Sequence, residues 1–281
     1  EFLARAGEAY GAYGKQTSKW YEWSVRVLGA RIALRRGDLD EALVRVEAIH
    51  AAGPPPFDAV QATLIAVEAL ALAGRLEDAE PRLGSAADAL NPQEAPAAWA
   101  EYLRLRGMLH ARHGSQADAY HDFAQSATLL ELLGERYQGA LSHLELGRLV
   151  AATGARSIAE RSLDKALKVF RALGAERDIA DCEAARELLA HVGTGESIVF
   201  PADADDAIVR RIVDASALPD LLSRETAAAM AEAAGADAVA LVVELPGDRV
   251  HVIAVDGCTP DAAAALALAS RRTGTAGTHG V

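Results

Sequence analysis

The fold is decided by the stretch Arg36-Gly37-Asp38-Leu39-Asp40-Glu41-Ala42, which returns three times without gaps. The other copies are Ala73-Gly74-Arg75-Leu76-Glu77-Asp78-Ala79, His113-Gly114-Ser115-Gln116-Ala117-Asp118-Ala119 and Thr153-Gly154-Ala155-Arg156-Ser157-Ile158-Ala159. Each copy places a glycine five residues before an alanine, and the glycines recur at intervals of 37, 40 and 40 residues. Because each glycine separates two segments of helical periodicity, the repeat predicts a series of antiparallel helical hairpins.

The residues around each glycine suit a tight turn between two helices. Glycine at the end of the first helix can take the left-handed conformation that closes such a turn. Asp38 with Glu41, and Ser157 with Glu160, have the spacing of a capping box for the second helix. The sequence therefore predicts where each second helix begins.

The second helix of each hairpin has a small residue followed by a larger one. The alanine that ends each stretch would let two helices approach closely, and four residues later a larger side chain would fill their interface. These larger side chains are Val46, Leu83, Phe123 and Leu163. The pattern predicts helix packing rather than catalysis.

Composition narrows the class of protein. Hydrophobic residues make up 51% of the 281 residues but aromatic residues only 5%, which favours closely packed helices over β-sandwiches. The formal net charge of -12 gives no basic footprint for nucleic acid. Cys182 and Cys258 lie far apart in the sequence, which indicates neither a disulfide framework nor a CxxC metal motif. No apolar run has the length of a membrane span. A cytoplasmic location is the expectation.

These hairpins resemble tetratricopeptide repeats, which carry a small residue and a glycine on the first helix and a small, then an aromatic, residue on the second. Gly107 and Gly147 match the first-helix glycine, whereas Ala30 and Val67 replace it in the earlier repeats. Pro54 alone matches the terminal proline, and the period near 40 residues exceeds the family's 34. The longer unit resembles the variant found in large bacterial transcriptional regulators.

The resemblance implies a domain and a binding face. Residues 1–192 would form about four repeats and a partial first one, arranged as a right-handed superhelix, with the chain beginning inside a second helix. First helices line the concave face in this family, which holds a protein or peptide. The positions that correspond to its groove are Ser24, Arg31, Gln61, Glu68, Glu101, Arg104, Met108 and Arg148.

The C-terminal quarter has a different pattern. Gly, Pro and Asp residues over 193–205 indicate a linker, followed by helices over about 206–216 and 219–234. Two β-rich runs, 238–245 and 249–255, flank Pro246-Gly247-Asp248, which is a hairpin signal. A helix over 262–272 and a loose Gly- and Thr-rich tail over 274–281 complete the prediction.

This order of elements, with the run from Ala236 to Val243 as first strand, resembles the opening half of a GAF domain, a small-molecule sensor. The segment 206–273 would be a partial GAF-like unit. The ligand-contacting half of that family lies beyond it, so the resemblance assigns no ligand residue and no cofactor.

The histidines, the glycine-rich run and the cysteines form no catalytic or metal-binding motif. His110 and His113 have HxxH spacing, but His121 lies across the turn and no Cys or acidic ligand is in register, so no metal site is predicted. The Gly-rich run 274–277 lacks the ending of a phosphate loop. Cys182 is predicted to lie on a helix as a core residue rather than to act as a nucleophile. The chain is therefore not expected to be an enzyme.

The two resemblances together imply the sensory half of a bacterial regulator, in which a tetratricopeptide-like scaffold and a GAF-like unit precede a sigma-54-activating ATPase and a DNA-binding domain. Two alternatives stay open. One is the same sensory module attached to a Ser/Thr or histidine kinase. The other is a plain assembly scaffold whose C-terminal segment serves docking or dimerisation. A homodimer is compatible with each of them.

Overall fold

The computed structural model describes residues 18–153, 156–191, 218–245 and 249–273, with residues 209, 212, 213 and 215 between them. The chain divides into two compact units, Glu1–Asp122 and Phe123–Val281. Over the described residues the protein is mostly helical and ends in a small antiparallel sheet, which confirms the predicted mostly-α class. The predicted domain boundaries at residues 192 and 205 fall where the chain is not described and stay predictions.

The helices of the repeat region follow one another with short connections. They are α1 (Ser18–Arg36), α2 (Leu39–Ala51), α3 (Pro56–Leu72), α4 (Leu76–Ala89), α5 (Pro96–Arg112), α6 (Gln116–Leu133), α7 (Arg136–Thr153), α8 (Arg156–Leu173) and α9 (Glu176–His191). Pro56 and Pro96 start α3 and α5, where a missing backbone N–H costs nothing.

In the first unit, each helix packs on the next one, and the first helices of successive hairpins also pack on each other. Neighbours α1 and α2, α2 and α3, α3 and α4, and α4 and α5 are in contact. So are α1 with α3 and α3 with α5, which are the first helices of successive hairpins. The first helices therefore lie side by side, and residues from α1, α2 and α3 share one buried apolar cluster.

The hairpin turns have the predicted glycine geometry. Gly37, Gly74 and Gly114 have φ values of 86°, 74° and 81°. At the first turn the Asp38 N–H donates to the Ala33 carbonyl oxygen at 3.0 Å and the Gly37 N–H to that of Leu34 at 2.9 Å. These two bonds form a Schellman motif, which satisfies the last carbonyl groups of α1. Gly154 lies outside the described residues.

The small and large positions of the second helices are buried as predicted. Ala42, Ala79, Ala119 and Ala159 have no exposed surface, and Val46, Leu83, Phe123 and Leu163 are buried too. The predicted capping box at Asp38 is wrong. Asp38 precedes α2 as its N-cap residue, but with φ −80° and ψ 68° its side chain makes no capping hydrogen bond, and Glu41 pairs with Arg45 instead.

In the second unit, α7, α8 and α9 pack on one another around a core that includes Leu144, Leu163, Phe170 and Cys182. Gly147 on α7 lies against α8, since a Cβ at this position would stand 2.7 Å from the Leu163 side chain. The resemblance placed a family glycine here, and close helix approach is its physical reason.

The C-terminal segment forms a hairpin with two helices packed on it. It consists of α10 (Pro219–Ala234), β1 (Val239–Leu245), β2 (Arg249–Asp256) and α11 (Pro260–Thr273). Both helices contact both strands. The predicted helices and strands at these places are confirmed, whereas the turn 246–248, the tail 274–281 and most of the helix over 206–216 lie outside the described residues.

The antiparallel pairing of β1 and β2 contains one irregularity that the sequence did not predict. Leu241 faces Ala254, but Val242 faces Val252, so Ile253 is an extra residue on β2. This β-bulge interrupts the ladder on β2 while β1 stays regular.

Within the described residues, no helix combines the length and the apolar character needed to cross a membrane.

Candidate partner-binding site

The first helices bring most of the predicted groove residues together. Residues three, four or seven positions apart share a helix face, and this spacing relates Gln61 to Glu68 on α3 and Glu101 to Arg104 and Met108 on α5. On α1, Arg31 and Arg35 are one turn apart. Because α3 contacts both α1 and α5, these faces meet at one place.

Arg31 joins the three helices. Its Nη1 donates to Glu101 Oε1 at 2.7 Å, and its Nη2 donates to Gln61 Oε1 at 2.7 Å and to Glu101 Oε2 at 3.1 Å. The bonds to Glu101 form a bidentate pair, which is the strong geometry for an arginine and a carboxylate. Arg31 thus links α1 to α3 and to α5.

Glu68 is held between two guanidinium groups. Arg35 donates to its two carboxylate oxygens at 2.8 and 2.7 Å, and Arg104 donates to the same oxygens at 3.1 and 2.8 Å. The Met108 sulfur lies 3.6 Å from Arg104 Nη1. Arg31, Arg35, Gln61, Glu68, Glu101 and Arg104 are called here the arginine–glutamate network.

Much of this network is buried. Arg104 is 1% exposed and Glu68 2%, and Glu101 and Met108 are buried as well. Arg31, Arg35 and Gln61 are half-buried and form its accessible rim. Three arginines and two glutamates leave one surplus positive charge. A buried charge is tolerated only when it is paired and hydrogen-bonded, so each member depends on the others.

The protonation states follow from this pairing. Burial alone would raise the pKa of Glu68, but the Arg104 and Arg35 guanidinium groups outweigh it and hold that pKa far below its usual range. Burial opposes the charge of Arg31, and the Glu101 carboxylate outweighs this to raise the pKa of Arg31. Glu68 and Arg31 are therefore both charged at neutral pH.

Two predicted groove residues lie elsewhere. Ser24 is half-buried on α1, two turns before Arg31. Arg148 belongs to the second unit, where its Nη1 donates to Glu145 at 3.0 Å and its Nη2 lies 3.4 Å from Asp181. Its side chain is partly exposed. That these eight residues contact a partner stays a prediction.

Arg35 was not among the predicted groove residues, although it supplies half of the hydrogen bonds that Glu68 accepts from arginines. A signal was available, because Arg35 follows Arg31 by four residues and therefore shares its face of α1. The tetratricopeptide alignment did not mark its position as part of the groove.

The two histidines of the HxxH pattern lie beside carboxylates. His113 pairs with Glu80, and His110 Nδ1 lies 3.0 Å from Asp122 Oδ2, without hydrogen-bond geometry. Asp122 also accepts two hydrogen bonds from Arg106. In the described part of the chain, no three His, Cys, Asp or Glu side chains are placed together to hold a metal ion.

Cys182 lies in the core between α7, α8 and α9 and is fully buried. This burial raises the pKa of its thiol to about 11. Since the thiolate is the nucleophilic form of cysteine, Cys182 is unreactive as a nucleophile at neutral pH.

Comparison with protein-family models, with curated proteins and with solved structures finds no match to this chain.

Proposed function

We propose that the chain is a protein-interaction scaffold and signal-sensing regulatory module in which the helical hairpins form a tetratricopeptide-like right-handed superhelix. The observation that carries the proposal is the meeting of α1, α3 and α5, which brings six of the eight expected groove residues together. A face assembled from several repeats can hold an extended polypeptide.

The accessible and the buried residues of the candidate site would have different roles in binding. Arg31, Gln61 and Ser24 of the first unit keep accessible surface and would touch the partner. Arg148 of the second unit also keeps accessible surface and is proposed as a separate contact. Glu68, Glu101, Arg104 and Met108 are buried and would act by holding the rim arginines in place. Hydrogen bonds to Gln61 and Glu101 fix the position of Arg31 before binding, which lowers the entropy lost on association.

The C-terminal segment supports the sensory part of the proposal. Its helix, hairpin and helix match the order that resembles the start of a GAF-like unit. On this reading the chain is a non-enzymatic part of a cytoplasmic, multidomain bacterial transcriptional regulator, and it binds neither nucleic acid nor membrane itself. Its partner is another protein or peptide, or the regulator's own output domain.

Affinity co-purification with charge-altered rim variants tests the proposed binding face. Gln61→Glu keeps an oxygen that accepts from Arg31 Nη2 while removing the surplus positive charge of the network. Combined with Arg148→Glu, it should lose a specific partner that the parent retains. Arg82→Glu on α4 is the matched control, because Arg82 is an exposed arginine of a second helix. Equal loss with both variants, or no loss with either, would refute the binding face.

A further inference from the structure

Helix α3 exposes two large apolar side chains on the face that carries its groove residues. Phe57 is 59% exposed and Leu72 40%. Phe57 precedes Gln61 by four residues. Leu72 follows Glu68 by four, and the four residues lie within about 60° of one another around the helix. Because α3 is in contact with α1, α2, α4 and α5, this face is the one that its neighbouring helices leave open.

Positive charge is concentrated around this face. The arginine–glutamate network has one surplus positive charge, and Arg112 is exposed four residues after Met108 on the same face of α5. The second helices differ, since α2 and α4 together carry seven acidic and two basic residues. In a chain with a net charge of -12, the first-helix face is therefore complementary to an acidic partner.

Arg31 keeps hydrogen-bonding capacity at the rim of the network. An arginine has five N–H donors, and the bonds from Arg31 to Gln61 and Glu101 use three of them. Its side chain is 18% exposed. Over the residues that the structure describes, two donors of Arg31 thus remain for a carboxylate from outside, and such hydrogen bonds are of the strong, charge-assisted kind.

We infer that the first-helix face binds an acidic, extended segment of a partner protein, with a carboxylate at Arg31 and large apolar side chains on Phe57 and Leu72. The segment occupies the proposed binding face, on which this inference rests. Apolar contacts at both ends would supply affinity, and the carboxylate between them would neutralise the surplus charge of the network.

The spacing along α3 suits such a segment. Phe57 and Leu72 are separated by about 22 Å of helix, which about seven residues of extended chain can span. Gln61, which accepts from Arg31, lies about 6 Å from Phe57 along the helix axis. Two residues of an extended chain cover about that distance and point to the same side. The acidic residue should therefore lie two positions from an apolar one.

Phage display of random dodecapeptides on the purified chain tests the inference. We expect the selected peptides to share an aspartate or glutamate two positions from a large apolar residue. Phe57→Ser should abolish their selection, whereas Val44→Ser, at a 63% exposed position of α2, should leave it unchanged. Both positions are exposed, so neither change disturbs the core, and circular dichroism verifies the fold of each variant.

Fluorescence anisotropy with a labelled peptide of the selected sequence measures the effect. Replacing the acidic residue of the peptide by its amide, or Phe57 by serine, should raise the dissociation constant by about tenfold or more. No selected peptides, selected peptides without an acidic residue, or an unchanged dissociation constant with Phe57→Ser would overturn the inference. If the Gln61→Glu, Arg148→Glu variant still loses its partner in co-purification, the binding face stands and the inferred chemistry of the partner alone is wrong.

Discussion

Removing the charge of Glu68 should be among the most damaging single changes in the helical region. Glu68 accepts hydrogen bonds from Arg35 and Arg104 at 2.7 to 3.1 Å and is 2% exposed. Glu68→Gln nearly preserves the volume but leaves Arg35 and Arg104 without their carboxylate, since Glu101, the one carboxylate left in the network, pairs with Arg31. Breaking a buried ion pair in this way costs about 3 to 5 kcal/mol. That is a large part of the stability of an ordinary domain.

Chemical denaturation measured by circular dichroism at neutral pH tests this value, with Glu41→Gln as the matched control. Glu41 also accepts a hydrogen bond from an arginine at 2.7 Å, but the pair with Arg45 is half exposed. Exposed pairs of this kind contribute about 0.3 to 0.5 kcal/mol. We expect the Glu68 variant to lose several times more stability than the Glu41 variant. Equal losses would show that the network contributes no more than a surface pair.

The pH dependence gives a second test of the same network. The pKa of Glu68 is depressed in the folded chain, from a usual value of 4.5. A depressed pKa stabilises the fold above the unfolded-state pKa, and this contribution is lost as the pH falls toward the folded-state pKa, by about 1.4 kcal/mol per pH unit. The stability difference between the parent and Glu68→Gln should therefore shrink from pH 5 to pH 3. A constant difference over this range would refute the assigned ionisation.

The packing leads to three further predictions. Ala159→Leu and Ala119→Leu each enlarge a residue with no exposed surface, and each should lower the free energy of unfolding by about 1 to 3 kcal/mol in thermal or urea unfolding. Melting curves that match the parent would contradict the repeat register. Gly147→Ala should destabilise the chain, because the added Cβ would stand 2.7 Å from the Leu163 side chain. Gly84→Ala on α4 is the control: its Cβ would meet nothing within 4 Å, so it should stabilise the chain by about 0.5 to 1 kcal/mol. Gains in stability for both glycine variants would argue against the tight contact of α7 with α8. In thiol labelling at pH 8, the partly exposed Cys258 should react well before Cys182, whose pKa is about 11. Denaturant should abolish this difference in rate. Simultaneous labelling of both cysteines in the native protein would contradict the burial of Cys182.

The turns and helix contacts could be predicted from the sequence because their chemistry is local. Gly37 and Gly74 are required by the left-handed turn, and Ala42 and Ala79 by close packing five residues later. The cap at Asp38 could not be predicted in the same way. Its side chain has the right spacing to Glu41, but capping also depends on backbone angles that the spacing does not fix.

Five of the six residues of the arginine–glutamate network, all but Arg35, could be predicted from the sequence, but the burial of Glu68 and Arg104 could not. Helical periodicity places Gln61 and Glu68 on one face, yet charged residues in a sequence are normally expected to be exposed. Burial of Glu68 follows from Arg35 and Arg104, which are 33 and 36 residues away in the chain. Such pairing depends on how the helices stack, so a local pattern cannot reveal it. The β-bulge at Ile253 could not be predicted for the same reason, because it depends on how β1 and β2 pair.

Site-specific photo-crosslinking in living bacterial cells tests the proposed scaffold most directly. A photoreactive residue at Ser24 or Gln61 probes the rim on the first helices, and the same residue at Val44 on α2 probes an exposed second-helix position, where 63% of the residue is accessible. The proposal predicts a discrete crosslinked protein from Ser24 and Gln61 and none from Val44. Crosslinks from Val44 alone, or the same products from all three positions, would contradict it.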